Sequence, residues 1–306
     1  MIKEASHACL LNVELKRLKM TRKGNDVFTD GQGKPEGSMA AGWGGERKDI
    51  LRDEFGLEIP VEDVPLPSKG VVYPEGSPLH MAETIQIRAM TAREEDILTS
   101  RSLIKNGTVI TELIKSCLID KRIDPNDLLV GDRNALMVAL RITGYGAGYS
   151  AELACPVCTE RSKQTFDLGE LPLKTLDADP VSQGANVFEA KINENMTIRY
   201  KFLTGHDEKQ ISKENDRKKK AGITGDTLIT QRYKYQIVSV NDITDRTKLQ
   251  MFTQRMPTSV SRSLRKAMDA HEPGIEMKQY ITCPSCMEES EVNMPLGASF
   301  FWPDAE

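Results

Sequence analysis

The chain has 306 residues, of which 39% are hydrophobic and 28% charged, and a formal net charge of −4. This is a water-soluble globular composition with length for two or three domains, and its acidic balance argues against nucleic acid as the main partner. No apolar run approaches the roughly 18–20 residues of a membrane span, and Met1 to His7 form no signal-peptide core, so a cytoplasm that keeps the six cysteines reduced is the expected setting.

Residues 1–20 hold Ala8, Leu10, Leu11, Val13, Leu15, Leu18 and Met20, enough apolar positions for a short helix or strand. Periodicity does not choose between them. Residues 21–48 are glycine-rich, with Asp, Asn and Lys between, and cannot offset the cost of ordering by burial within the segment. Residues 1–60 read as a Gly-rich N-terminal arm that serves as a contact surface, with Trp43 as the one large anchor in its glycine-rich part. Cys9 in this arm, and Cys117 further on, sit on apolar stripes that suit a buried small hydrophobe.

Ile59-Pro60, Pro65-Leu66-Pro67 and Tyr73-Pro74-Glu75-Gly76-Ser77-Pro78 predict an extended, turn-rich entry into the next domain. Thr84 to Arg88 alternates like a strand, and Thr91-Ala92-Arg93-Glu94 has the capping-box spacing that starts a helix. Ile97 and Leu98, then Val109, Ile110, Leu113, Ile114, Cys117 and Leu118, recur at helical steps until Asp124-Pro125-Asn126. Asp132 is placed as the cap of a further helix through Leu136, Val138, Ala139, Leu140 and Ile142, closed at Gly144-Tyr145-Gly146. Residues 61–150 thus form a mainly helical domain. Gly131-Asp132-Arg133-Asn134 could suggest a phosphate turn, but a turn with a cap accounts for it.

Cys155-Pro156-Val157-Cys158 follows, and its counterpart Cys283-Pro284-Ser285-Cys286 lies near the other end. Two residues between cysteines let both sulfurs turn toward one ion, and two such pairs supply a closed tetrahedral set. The flanks match as well, Thr159-Glu160-Arg161-Ser162 against Met287-Glu288-Glu289-Ser290. A structural zinc held by Cys155, Cys158, Cys283 and Cys286 is the leading reading, with iron as the other occupant; idle thiol pairs or a disulfide-forming site are the alternatives. Between the pairs lie 124 residues, where a simple ribbon needs roughly 15–20. The expected fold class is therefore α+β: a helical layer and a zinc ribbon (151–174 and 276–306) with an α/β module (175–275) inserted between its knuckles.

Within the insertion, Val187 to Ile192 and Met196 to Leu203 predict a hairpin. Asp207 to Ala221 is charged almost throughout. Lys218-Lys219-Lys220 invites a nucleic-acid reading, but the interleaved Glu214 and Asp216 favour a solvated helix face. Tyr233 to Val240 reads as one strand or helix, and helices are expected over Thr247 to Gln254 and Ser259 to Ala270. Met277 to Thr282 returns as a strand, and Phe300-Phe301-Trp302-Pro303 makes an aromatic tail that either closes the core or docks into a partner.

No catalytic motif appears. His7, His80, His206 and His271 share no ligand spacing, and there is no GxSxG, GxxxxGK[ST] or GxGxxG sequence. Four cysteines leave a metal no open position for water or substrate, so this site would brace and not catalyse. No catalytic or cofactor-binding residue is assigned, and the chain is expected not to be an enzyme.

Several segments carry a resemblance. Leu66-Pro67-Ser68-Lys69-Gly70 with Tyr73-Pro74, the run Ile87 to Leu98, Leu128-Leu129-Val130-Gly131-Asp132-Arg133-Asn134-Ala135, Arg141 to Gly146, both CPxC knuckles and the Phe-Phe-Trp-Pro ending are similar to the T-even-type baseplate family of contractile-tailed bacteriophages. The resemblance covers about residues 66 to 303. It implies a non-enzymatic hub or hub-assembly protein, contacting other baseplate and tail proteins in multiple copies, located in the virion tail baseplate and, during assembly, in the host cytoplasm. An assembly chaperone absent from the virion is the alternative, and a nucleic-acid-binding zinc-ribbon protein a lesser one.

Overall fold

The computed structural model describes residues 49–52, 56–222, 228–294 and 298–301. The expectations for residues 1–20, Cys9, the glycine-rich stretch, Trp43, His7, Trp302 and Pro303 lie outside them. The described residues form an α+β fold of eight α-helices and five small antiparallel sheets.

Strands β1 (Asp49–Arg52), β2 (Glu58–Pro65) and β3 (Thr84–Arg88) make the first sheet, with β2 in the middle. The sequence predicted an extended, turn-rich entry from Ile59 onward; its first part, Glu58–Pro65, is extended as a regular strand. Its prolines are tolerated because Pro60 still offers its carbonyl to the Ala89 N–H at 2.9 Å and Pro65 is the last strand residue. Residues 66–83 then turn repeatedly, as expected.

Helix α1 (Ala92–Thr99) begins with the predicted capping box, in which the Glu94 carboxylate accepts from the Thr91 N–H at 2.9 Å. Short α2 (Arg101–Asn106) and amphipathic α3 (Val109–Cys117) follow, the latter burying Val109, Leu113, Ile114 and Cys117. Helix α4 (Val130–Tyr145) is the centre of the molecule: Ala135, Leu136, Val138 and Leu140 are all fully enclosed, and the burial extends round most of the helix. Gly146, at a φ of 84°, ends it. Asp132 is not its cap. Leu129 holds that position, and Asp132 lies within the first turn and wholly buried. Gly131 is likewise helical, and a Cβ there would lie 1.9 Å from the Pro273 carbonyl oxygen, so glycine serves a close helix-to-strand approach and no turn.

Hairpin β4 (Gly148–Ala154) and β5 (Arg161–Asp167) carries the first knuckle; hairpin β11 (Lys278–Thr282) and β12 (Glu289–Asn293) carries the second. Between them β6 (Leu173–Lys174) pairs with β10 (Gly274–Ile275), Gly274 opposite Lys174, so the long intervening segment leaves and returns at one stem. That segment contains the predicted hairpin, β7 (Phe188–Asn193) with β8 (Met196–Tyr200), extended by β9 (Ile237–Val240). It also holds α5 (Gly205–Lys220), α6 (Leu228–Gln236), α7 (Arg246–Arg255) and α8 (Thr258–His271). The stretch Tyr233 to Val240 is thus split between a helix and a strand. On α8, Leu264 and Met268 are buried with Val260 and Ala267 partly so, the predicted stripe.

One contiguous apolar core runs from Val64 to Phe301 and takes side chains from the helical layer, both hairpin roots and the intervening module. Phe300 and Phe301 are fully buried, with Phe300 against Tyr149 at 4.9 Å between ring centroids. For these two aromatics the structure selects core closure.

Candidate metal centre

Each knuckle is built by the same local geometry. After the second cysteine the chain takes a left-handed step, at Thr159 (φ 62°) and at Met287 (φ 58°), positions where a non-glycine residue is uncommon. This step closes a tight loop twice over. Thr159 N–H donates to the Cys155 carbonyl at 2.9 Å and Cys155 N–H to the Glu160 carbonyl at 2.9 Å; Met287 N–H donates to Cys283 at 2.9 Å and Cys283 N–H to Glu288 at 3.0 Å. The flank similarity legible in the sequence is therefore a shared backbone path.

The two loops face each other. Cys155 Sγ lies 3.8 Å from Cys286 Sγ and Cys158 Sγ lies 3.6 Å from Cys283 Sγ, and all four sulfurs lie within 4.8 Å of one another. These separations are far beyond a disulfide bond of about 2.05 Å and match the edge of a tetrahedron around one ion with bonds of about 2.3 Å. Cys155 and Cys283 are buried, Cys158 is half-buried and Cys286 exposed.

The hydrogen bonding separates the thiols into two kinds. Backbone N–H groups of Cys158 and Val157 lower Cys155, and those of Cys286 and Ser285 bring Cys283 down to about 7, so the first cysteine of each pair is readied as a thiolate. For the second cysteines, N–H groups of Glu160 and Glu288 pull downward. Burial and neighbouring sulfurs outweigh them, pushing Cys158 up to about 12 and raising Cys286. Four close sulfurs cannot all ionise without a cation among them, whereas a soft or borderline divalent ion, zinc or iron, would neutralise the set. The donor set fits such an ion, with all four positions filled by protein. Cys117 is apart from it, fully enclosed and with its thiol pushed up to about 12 by burial.

Among the described residues, His80, His206 and His271 are not drawn together. His80 Nδ1 meets the Tyr73 carbonyl at 2.6 Å, and His271, the last residue of α8, meets Asp177 at 2.9 Å. His206 bonds Asp127 at 3.1 Å beside Asp124. All three members of that group are exposed, and Asp124 already accepts from both nitrogens of Asn126.

Two buried polar networks escaped the sequence reading, apart from the Thr91–Glu94 capping box that belongs to the second. Asp132 accepts from the Ser68 N–H at 2.9 Å, the Ser68 hydroxyl at 2.6 Å and the Tyr73 hydroxyl, which in turn accepts from the Leu129 N–H at 3.0 Å. Burial raises its carboxyl against the pull of these donors. Glu94, fully enclosed, accepts from Arg88, Ser116 and Thr91. The short motifs around residues 68–73 and 129–132 are therefore two halves of one hydrogen-bond network, and residues 88–94 form a second with Ser116.

A family model described as T4 bacteriophage base plate protein matches residues 63–302, from β2 through both knuckles to the aromatic tail. No curated protein and no solved structure matches the chain.

Proposed function

The chain belongs to the T4 bacteriophage base plate protein family, and from that premise we propose that it is a structural, non-enzymatic component of the baseplate hub, braced by one zinc ion on Cys155, Cys158, Cys283 and Cys286. The family places it among proteins of the phage tail baseplate, where its partners are other tail and baseplate proteins. The observation that supports the brace is the meeting of four sulfurs from hairpins more than a hundred residues apart. A four-sulfur set leaves no coordination position for substrate, which favours structural work over catalysis.

The test has two parts. Elemental analysis of pure protein should return one zinc per chain, and chelation should lower the melting temperature; a chain without transition metal removes the brace. Mass spectrometry of purified virions should then find the chain. Its absence there, with its presence in infected-cell lysate bound to one unassembled tail protein, would replace the hub reading with that of an assembly chaperone.

A further inference from the structure

Two regions of this chain carry opposite charge, and each includes charged side chains that form no ion pair among the described residues. Residues 246–268, covering α7 and most of α8, contain six basic residues and no acidic one in a chain whose net charge is −4. Arg246, Lys248, Arg255, Arg262, Arg265 and Lys266 are all exposed. On α8, Arg262, Arg265 and Lys266 line one shallow surface concavity with Asp269, since helical spacing brings these positions to one face. None of the three is paired with a carboxylate among the described residues. On α7, Met251 is 48% exposed.

The knuckle hairpins are the reverse. Residues 148–167 and 276–294 hold seven acidic residues against three basic ones. Glu160, Glu288 and Glu289 at the tips are exposed and likewise unpaired among the described residues, whereas Glu291 at the root is paired with Lys278. The tips also present Val157 at 60% exposure and Met287 at 72%, with Tyr280 at 69% on β11. Solvent-exposed Val and Met beside carboxylates at a rigid loop suit an interface centre with a charged rim.

We infer that the acidic knuckle tip of one copy docks on the basic face of α8 of a second copy. The contact is heterologous, since two different surfaces meet; it closes into a ring where the rotation allows and otherwise extends as an open chain. A second copy suits the basic face better than a nucleic acid does. The net charge of −4 repels a long polyanion from the remainder of the molecule, while a compact hairpin with an apolar tip meets only the basic face. The area offered by two loops is small, so the association is reversible and driven by charge at its rim. The inference needs the knuckles formed but does not depend on the baseplate assignment or on which metal is bound.

Sedimentation velocity on the full metal-loaded chain between about 1 and about 100 µM tests it. Mass-weighted size should rise with concentration, and the association should weaken about tenfold or more when salt is raised from about 0.1 to about 1 M. The triple variant Arg262→Glu, Arg265→Glu, Lys266→Glu should be monomeric, as should Glu160→Lys, Glu288→Lys, Glu289→Lys. An equimolar mixture of the two should associate again, because the acidic knuckle of the first variant meets the basic face of the second, and the reversed knuckle of the second meets the reversed face of the first. Circular dichroism melts of both variants, whose substitutions are all on the surface, establish that they are folded. A wild-type chain that stays monomeric over this range overturns the proposal. So does self-association that survives either variant, or loss of binding to duplex DNA by the Arg262 variant with self-association unchanged. Charge-dependent pairing in a chain that binds no metal would sink the zinc brace alone.

Discussion

Glu94 has no exposed surface, yet its carboxyl is held at about 2. Burial alone would raise it; the Arg88 guanidinium, 2.7 Å away, with the Ser116 and Thr91 donors, more than offsets that. A folded-state value below the ordinary 4.5 stabilises the fold above that pH, and the contribution is lost as pH falls toward 2. Asp132, raised by burial, has the opposite slope: its protonation favours the folded state as the solution acidifies. The two are separated by comparing wild type with Glu94→Gln. Urea denaturation near neutral pH should show the variant less stable by about 2–4 kcal/mol, because Arg88 keeps its charge and loses its partner. The difference should shrink as pH is lowered from about 5 toward about 2. Gly131 gives a second prediction. Gly131→Ala places a methyl group against the Pro273 carbonyl, and the forced shift of α4 from β10 should cost about 1–3 kcal/mol in thermal or chemical melts. Neither effect was legible in the sequence. Asp132 is 64 residues from Ser68 and 59 from Tyr73, and an acidic residue near a helix start looks the same from sequence whether it caps or is buried. Thr91 and Glu94 were legible because their partners lie three residues apart.

Among the elements, the two hairpins divide between root and tip. Tyr149 and Phe166, and Val292 and Met294, root them in the core; further out Ala151, Leu153 and Ile281 still pack against it while their neighbours alternate between half-buried and exposed, and the tips rely on the sulfur set. From sequence, the metal was expected to brace two pairs separated by more than a hundred residues. The β6 and β10 pairing changes that expectation, because the ends of the insertion already meet at Leu173 and Ile275. With the stem in place the ion closes only the short paths from stem to knuckle, and loop-closure entropy grows slowly with length. Chelation should therefore loosen the hairpins and leave the rest standing. In hydrogen exchange, protection should fall in residues 150–165 and 279–292 and persist in α4 and β8. Cys286→Ser should show the same pattern. Loss of protection across α4 would mean that the metal holds far more than the tips. The knuckles could be read from sequence because ligand spacing is local chemistry; a pair of two-residue strands a hundred residues apart leaves no periodic trace.

Across the whole molecule, α4 and the C-terminal aromatics act together. Arg141, buried on α4, donates to the carbonyls of Phe300 at 3.2 Å, Gly146 at 2.8 Å and Gly148 at 3.0 Å, tying the tail and the first hairpin to the central helix. Phe301→Ala should then cost about 3–5 kcal/mol and lower the midpoint of a single cooperative denaturation curve, since one core serves helices, hairpins and module alike. Two separated transitions would show instead that the module melts on its own. The α+β class, the helical layer and the hairpin of the module followed from periodicity. What periodicity could not supply was the sharing of the core, which depends on contacts such as Phe188 with Tyr200 and Phe202 and α8 against β7. The side-by-side entry and exit at Lys174 and Gly274 also bears on how such a chain can change over time. Residues could be gained or lost at the outer loops of that module without altering the spacing of the cysteines, so its length and surface are free to vary with its neighbours while the clasp stays as it is.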